Sequence, residues 1–260
     1  MKNFLALLFF VMGCSVTPIP SPPSVTLSNL SSSAGTSECA AHSFTSRGKA
    51  PKAFMEGMAL SYAKEICKPT RLTAQAAIGP KDILGHYAAE LQKVGLGSGT
   101  EALRLKSVYA VLIGLGMRES SGKHCEGRDK SASNVEASTA EAGLFQASQN
   151  SSNFSSELKA MLIAPRHCLL EVFSVGVTCK PSDAINHGTG PGVEFQKQMK
   201  GCPSLAVQYT GALLRLSGGA ESHFGPIRRK EAEVVPACVQ MLTAVEDMIK
   251  TEPKLCEAFL

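Results

Sequence analysis

At 260 residues, with 44% hydrophobic side chains, the chain is long enough for one sizeable core or two small ones. A formal charge of +4 with no Lys/Arg run longer than three residues argues against a nucleic-acid partner. Tryptophan is absent, so any surface on which a ligand stacks must come from four Tyr and eleven Phe.

The N-terminus, "MKNFLALLFFVMGC", has a short basic start and an apolar stretch from Phe4 to Met12, followed by Gly13 and Cys14. That stretch is too short to span a bilayer and suits an export signal. "VMGC" resembles a bacterial lipobox, which implies that Cys14 is lipidated and becomes the new N-terminus. Ser15 in place of Asp is similar to lipoproteins sorted to an outer membrane. The resemblance implies a periplasmic protein held to a membrane by its lipid; an ordinary signal cleaved slightly later gives a secreted one. Residues 1–14 are then a signal, and 15–37 a Ser/Pro/Thr-rich extended tether that cannot bury a core. Residues 38–260 are the folded domain.

Beyond Cys14, eight cysteines remain: Cys39, Cys67, Cys125, Cys168, Cys179, Cys202, Cys238 and Cys256. An even set in an exported chain points to disulfides, with connectivity open. The short loop from Cys168 to Cys179 is one plausible bridge. Neither a C-x-x-C pair nor an H-E-x-x-H motif occurs, so no metal or other cofactor is expected.

From Cys39 the pattern is mainly α. "PKAFMEGMALSYAKEICK" (51–68) opens on Pro and places Phe54, Met58, Tyr62 and Ile66 on one face. "PKDILGHYAAELQKVG" (80–95) repeats the Pro start and ends on Gly. A long helix is expected from Glu101 to Glu119, followed by an irregular polar stretch over 120–150 with room for one short hairpin. Further helices are expected at 155–163, 203–217 and 229–250, the last kinked or restarted at Pro236. The fold class is a mainly α domain with a small irregular or hairpin region, stabilised by disulfides.

Within the long helix, Leu105, Val108, Leu112, Leu115 and Glu119 fall inside a sector of roughly 80°. Glu119 therefore sits on the inward stripe, while Arg118 points elsewhere. The segment "AVLIGLG" is apolar on every side, and Gly114 and Gly116 suit close approach of another backbone or a ligand. Burial and the negative end of the helix dipole both raise the pKa of a carboxyl placed there, as a general acid requires.

"RESSG" followed about twenty residues later by "AEAGLFQAS" resembles the lysozyme-like superfamily, closest to its goose-type lysozyme and soluble lytic transglycosylase branch. The matching residues are Glu119, Ser120 and Gly122, then Gly143, Leu144, Phe145 and Gln146. "AVQYTGALLR" is similar to a later family helix whose Tyr approaches the catalytic Glu, here Tyr209. The resemblance implies a lysozyme-like α-helical fold acting as a monomer on the glycan strands of peptidoglycan. Glu119 would protonate the oxygen of the bond between N-acetylmuramic acid and N-acetylglucosamine, and Ser120 and Gly143 to Gln146 would line the cleft. Ser148 stands where goose-type enzymes tend to carry an Asp, and Glu141 is a charge where the family favours small or aromatic residues.

A hydrolase needs a second carboxylate, for which Asp129 and Glu141 are the candidates, with Glu126 also nearby. A lytic transglycosylase uses the sugar's own 6-hydroxyl and needs none. Glu141 beside the cleft would position water or favour a cationic, deacetylated sugar. In "NHGTGPGVEFQ" a tight loop offers Asn186 and His187 as sugar contacts. In "SHFGPIRRKEAEVV" Arg228 or Arg229 would meet peptide carboxylates, at the opening of a helix whose dipole they oppose. A catalytically inactive murein-binding lipoprotein is the reading of a different class.

Overall fold

The structure, a computed structural model, describes residues 26–69, 82–129, 136–164, 166–216 and 223–259. In chain order its helices are α1 (Leu27–Gly35), α2 (Glu38–Ala41), α3 (Lys52–Cys67), α4 (Ile83–His86), α5 (Ala88–Gln92), α6 (Glu101–Ser120), α7 (Ser156–Ile163) and α8 (Leu170–Phe173). Then follow α9 (Pro181–Ala184), α10 (Pro191–Gly201), α11 (Pro203–Arg215), α12 (Gly225–Arg228) and α13 (Pro236–Thr251). Two 3-10 segments occupy Gln149–Phe154 and Pro253–Phe259. Between α2 and α3 an antiparallel hairpin pairs β1 (Ser43–Phe44) with β2 (Gly48–Lys49). The mainly α class is borne out, with the hairpin at 43–49 and only an isolated bridge, Ala142 to Ala147, within 120–150 where a hairpin was expected.

α3 and α6 form the middle of the molecule. On α3, Phe54, Met58 and Tyr62 have no exposure and Ile66 is half-buried. α11 and α13 pack on both central helices, α1 and α8 cover α3, and α4 and α12 lean on α6. α6 is buried all round from Ser107 to Met117, as its apolar middle requires. Thr100 opens it by accepting a bond from the Leu103 N–H at 3.2 Å. At its other end Ser121 turns left-handed, and the Gly122 N–H closes back on the Gly116 carbonyl at 3.1 Å.

Three expectations are corrected. The stretch expected to be an extended tether contains α1, whose Leu30 and Ala34 are buried against α3. Packing of those two residues outweighs the weak helix propensity of a Ser-rich segment, and Thr26 caps it. Residues 15–25 and Cys14 lie outside the described residues. The last helix begins at Pro236 instead of 229, because Pro suits a first helical turn and no interior. Arg228 and Arg229 close the one-turn α12 instead of opening a helix, so they complement its dipole.

All eight remaining cysteines are bridged: Cys39–Cys238, Cys67–Cys256, Cys125–Cys179 and Cys168–Cys202. The short-loop pairing of Cys168 with Cys179, one of the open possibilities, is not used: each pairs elsewhere. The first two bridges fasten the N-terminal elements and the end of α3 to the C-terminal region. Charge is also buried: Arg215 and Asp82 form an ion pair at 2.8 Å with almost no exposure, and Asp82 accepts from the Gly85 N–H to cap α4.

Candidate active site

α6 carries Glu119 to its last turn, where the stripe of Leu105, Val108, Leu112 and Leu115 ends in a half-buried carboxyl. Burial, and next the charge of Glu141, push this carboxyl up to about 8 against the opposing pull of Arg47, Arg229 and Arg118. Glu141 is itself raised, first by burial and then by the charge of Asp129. The three candidate carboxylates thus form one interacting acidic flank, with Glu119 at its driest point. Glu126 is raised too, mainly by burial, on a segment that also feels Lys123, Asp183, Lys180 and Arg47.

The opposite flank is cationic. Arg118 points away from the helix stripe as expected, and its Nε donates to Glu231 at 3.1 Å. Arg229 makes a two-point bond to the same carboxylate, at 2.8 and 3.0 Å, and holds it down to about 2. Arg47 comes from the hairpin between Ser46, left-handed at φ 59, and Gly48, at φ 74. The hairpin is fixed from the far side by Glu233, which accepts from the Thr45 N–H at 2.6 Å and meets His42 at 3.2 Å. Arg47, Glu231 and Glu233 carried no sequence signal beyond being charged; the hairpin that presents Arg47 has strands of only two residues.

The second motif is brought to the helix end by Ser120. Its buried hydroxyl donates to the Leu144 carbonyl at 2.8 Å and also lies 3.0 Å from the Gly116 carbonyl. A single bridge between Ala142 and Ala147 closes the turn that holds Gly143 to Gln146. Gly143 is required twice over: its φ is 77°, and a Cβ there would press on the Met199 carbonyl. The Gly143 N–H and the Gln146 side chain both reach the Glu126 carbonyl, at 2.8 and 3.4 Å, and Gln146 also donates to the Gly143 carbonyl at 3.0 Å. This ties the turn to the loop that bears Glu126 and Asp129.

The expectation that these motif side chains line a cleft is corrected. Ser120, Leu144, Phe145 and Gln146 are buried, and Phe145 packs beside Gly116. Their bonds and packing hold the turn of Gly143 to Gln146 against the end of α6. Tyr209 is fully buried and bonded to the Ser151 hydroxyl at 2.7 Å instead of reaching Glu119. Burial pushes its phenol up to about 12. Ser151 in turn donates to the Ser148 carbonyl at 2.6 Å, so Ser148 belongs to the same framework. Asn186 is half-buried with its Oδ1 shielded, on a segment that Lys200 fixes through the Asp183 and Ile185 carbonyls. His187 is tied through its backbone to the Gln196 side chain at 2.7 and 3.0 Å.

Among the described residues one group has metal-ligand spacing: His124, Cys125 and Cys179, whose ligand atoms lie within 4.8 Å of one another. Its two sulfurs are joined to each other, so neither is the thiolate a metal would take. The carboxyls of Glu119 and Glu141 offer acid–base chemistry. A protonated carboxyl, a second carboxylate beside it and a cationic flank can together donate a proton, accept one and hold an anionic group. No protein-family model matches the chain, no curated protein is similar to it in sequence, and no solved structure matches it.

Proposed function

We propose that the chain cleaves the glycan strand of peptidoglycan, at the bond between N-acetylmuramic acid and N-acetylglucosamine, with Glu119 as the proton donor. The observation that carries this reading is the raised carboxyl of Glu119, held at the end of a buried helix beside a second carboxylate. A glycosidic oxygen is a poor leaving group until it is protonated, and an acid that keeps its proton near neutral pH supplies it. Repulsion between Glu119 and Glu141 favours a pair that shares one proton. Glu119 gives its proton to the leaving oxygen as the bond to the anomeric carbon breaks. Glu141 accepts a proton from the water that attacks that carbon. The charge of Asp129, together with burial, raises Glu141 and keeps it basic.

The acidic flank also favours a glycan with free amines, since a protonated amino sugar is drawn to Glu141 and Asp129 while an acetylated one is not. On the other flank, Arg229 and Arg47 suit the carboxylates of peptide stems. Export and lipid anchoring rest on residues 1–14, which lie outside the described residues. Among the described residues, no helix is long and apolar enough to cross a membrane.

The test uses purified sacculi, acetylated and deacetylated. Glu119→Gln is expected to stop the loss of turbidity while leaving thermal unfolding cooperative, and undiminished clearing by that variant would overturn the assignment. Mass spectrometry of the fragments decides the chemistry. Reducing ends are expected for hydrolysis. 1,6-Anhydro ends would replace Glu141 as water activator with the sugar's own hydroxyl. Binding to sacculi with no fragments at any pH would instead make the chain a murein-binding protein.

A further inference from the structure

The C-terminal end of α3 borders a second feature that the proposed glycan chemistry does not use. A cavity of about 600 Å³ is lined by Lys64, Lys68, Arg166 and His167 on its polar side. Met161, Leu169 and Phe259 are among the apolar residues facing them. Pro51 and Phe54, at the start of α3, touch Gly122 beyond the end of α6. Lys64 stands ten residues further along the helix than Phe54, which at the α-helical rise is about 15 Å. The cavity is therefore a separate place from the Glu119 site.

Among the described residues, no carboxylate lies within ion-pairing distance of Lys64, Lys68 or Arg166. The Arg166 guanidinium is fixed by its Nε, which donates to the Ala164 carbonyl at 3.0 Å. Its Nη2 is shielded from solvent and has no hydrogen-bond partner. A shielded charged donor without an acceptor is unfavourable, so its usual explanation is a missing acceptor. Burial lowers both Lys64 and Arg166 from their ordinary values, and Arg166 and Lys68 push Lys64 further down. The buried carboxylate of Glu65 opposes this at Lys64, and it already accepts from Gln208 at 2.8 Å. His167 faces Glu171 at 3.4 Å on the outer rim.

We propose that this cavity is a binding site for an organic anion, with one carboxylate or phosphate head between Arg166, Lys64 and Lys68 and an apolar body against Met161, Leu169 and Phe259. The head supplies the acceptor that Arg166 Nη2 lacks and relieves the repulsion among three converging cations. The apolar wall selects a ligand with a hydrocarbon part over a bare inorganic ion, and the volume falls within the range of small-molecule sites.

The experiment is calorimetric titration of the full chain with decanoate and decyl phosphate, against decanol and decyltrimethylammonium as neutral and cationic counterparts. At least one anion is expected to bind, at least about tenfold more tightly than decanol, with affinity falling as salt is added. Whichever anion binds more tightly identifies the head group. Arg166→Gln and Lys64→Met are each expected to weaken that anion by about tenfold or more, with melting temperature and sacculus clearing unchanged. Rescue by Arg166→Lys to an intermediate affinity would support charge at that position. Equal binding of decanol and the anions, indifference to both variants, or no binding by either anion would overturn the proposal. In that case Lys64 and Lys68 serve only to offset the dipole of α3 and the charge of Glu65. Failure here leaves the reading of Glu119 untouched, because clearing of sacculi is measured separately.

Discussion

The position of Glu119 between two flanks of opposite charge sets a definite pH behaviour. Its carboxyl holds its proton up to about pH 8 in the folded chain, whereas in the unfolded chain it ionises near 4.5. Between those values the folded state binds more protons than the unfolded one, so stability falls as pH rises. The contribution of Glu119 is fully present below about pH 4.5 and is lost as pH passes 8. Glu119→Gln has no proton to lose there. It is expected to match the parent chain near pH 4.5 and to become more stable than it towards pH 8. Because the carboxyl is partly open to solvent, the gap should reach about 2 kcal/mol and not the full amount the shift implies. In a chain of this size that is several degrees of melting temperature, read from thermal melts between pH 4.5 and 9. A difference that stays constant across that range would mean that Glu119 is an ordinary surface acid. Glu141→Gln removes the nearest repelling charge, so the same titration should move to lower pH.

At the scale of the element, the site depends on how closely other segments approach α6. Gly114 lies mid-helix, where Ala would raise helix propensity by up to about 1 kcal/mol. A Cβ there would strike the backbone of Ala232 and Glu233, however, and a backbone cannot move aside as a flexible side chain can. Gly114→Ala is therefore expected to destabilise the fold by about 2 kcal/mol in denaturant titration. Glu233 also fixes the hairpin at Thr45 and His42, so the variant should displace Arg47 as well and lower sacculus clearing further than Glu119 alone would explain. A more stable Gly114→Ala chain would show that the helix and the 232–233 segment are not in contact. The periodicity of α6 and the inward face of Glu119 were legible in the sequence because a long apolar pattern at helical spacing has few other solutions. The close approach was legible in kind, from two glycines in an apolar helix, but not in partner. The hairpin was not legible, because two-residue strands carry no alternation. α1 was obscured by its Ser-rich composition, since only Leu30 and Ala34 reveal a buried face. The motif side chains expected at the cleft were misread for a related reason. Spacing brought Ser120 and Gly143 to Gln146 to the helix end, but it could not show that their hydrogen bonds are satisfied internally.

Across the whole molecule, the disulfides divide into two kinds by what they enclose. Cys39–Cys238 spans 199 residues and Cys67–Cys256 spans 189, so both cross nearly the entire described fold. Cys168–Cys202 spans 34, and Cys125–Cys179 spans 54 and sits beside the loop carrying Glu126 and Asp129. Because Cys67–Cys256 stays closed when Cys39–Cys238 is removed, the loop released is only about 50 residues, which the chain-entropy account values at about 4 kcal/mol, largely by restricting the unfolded chain. Pairing Cys39→Ser with Cys238→Ser is therefore expected to lower the melting temperature by about 10 °C or more, with clearing of sacculi retained well below the new midpoint. The outcome differs for Cys125→Ser with Cys179→Ser. Its loop is of similar effective size and contributes about as much to global stability, while the acidic flank depends in addition on the 123–129 segment meeting the turn of Gly143 to Gln146 through the Glu126 carbonyl. Activity should fall further in that pair, with the alkaline limb of the pH profile shifted because Glu141 no longer stands where its charge raises Glu119. Melting curves and pH profiles on the two double variants separate these effects. Equal losses of stability and activity in both would show that the bridge at the site only holds the fold together and leaves the carboxylates where they are.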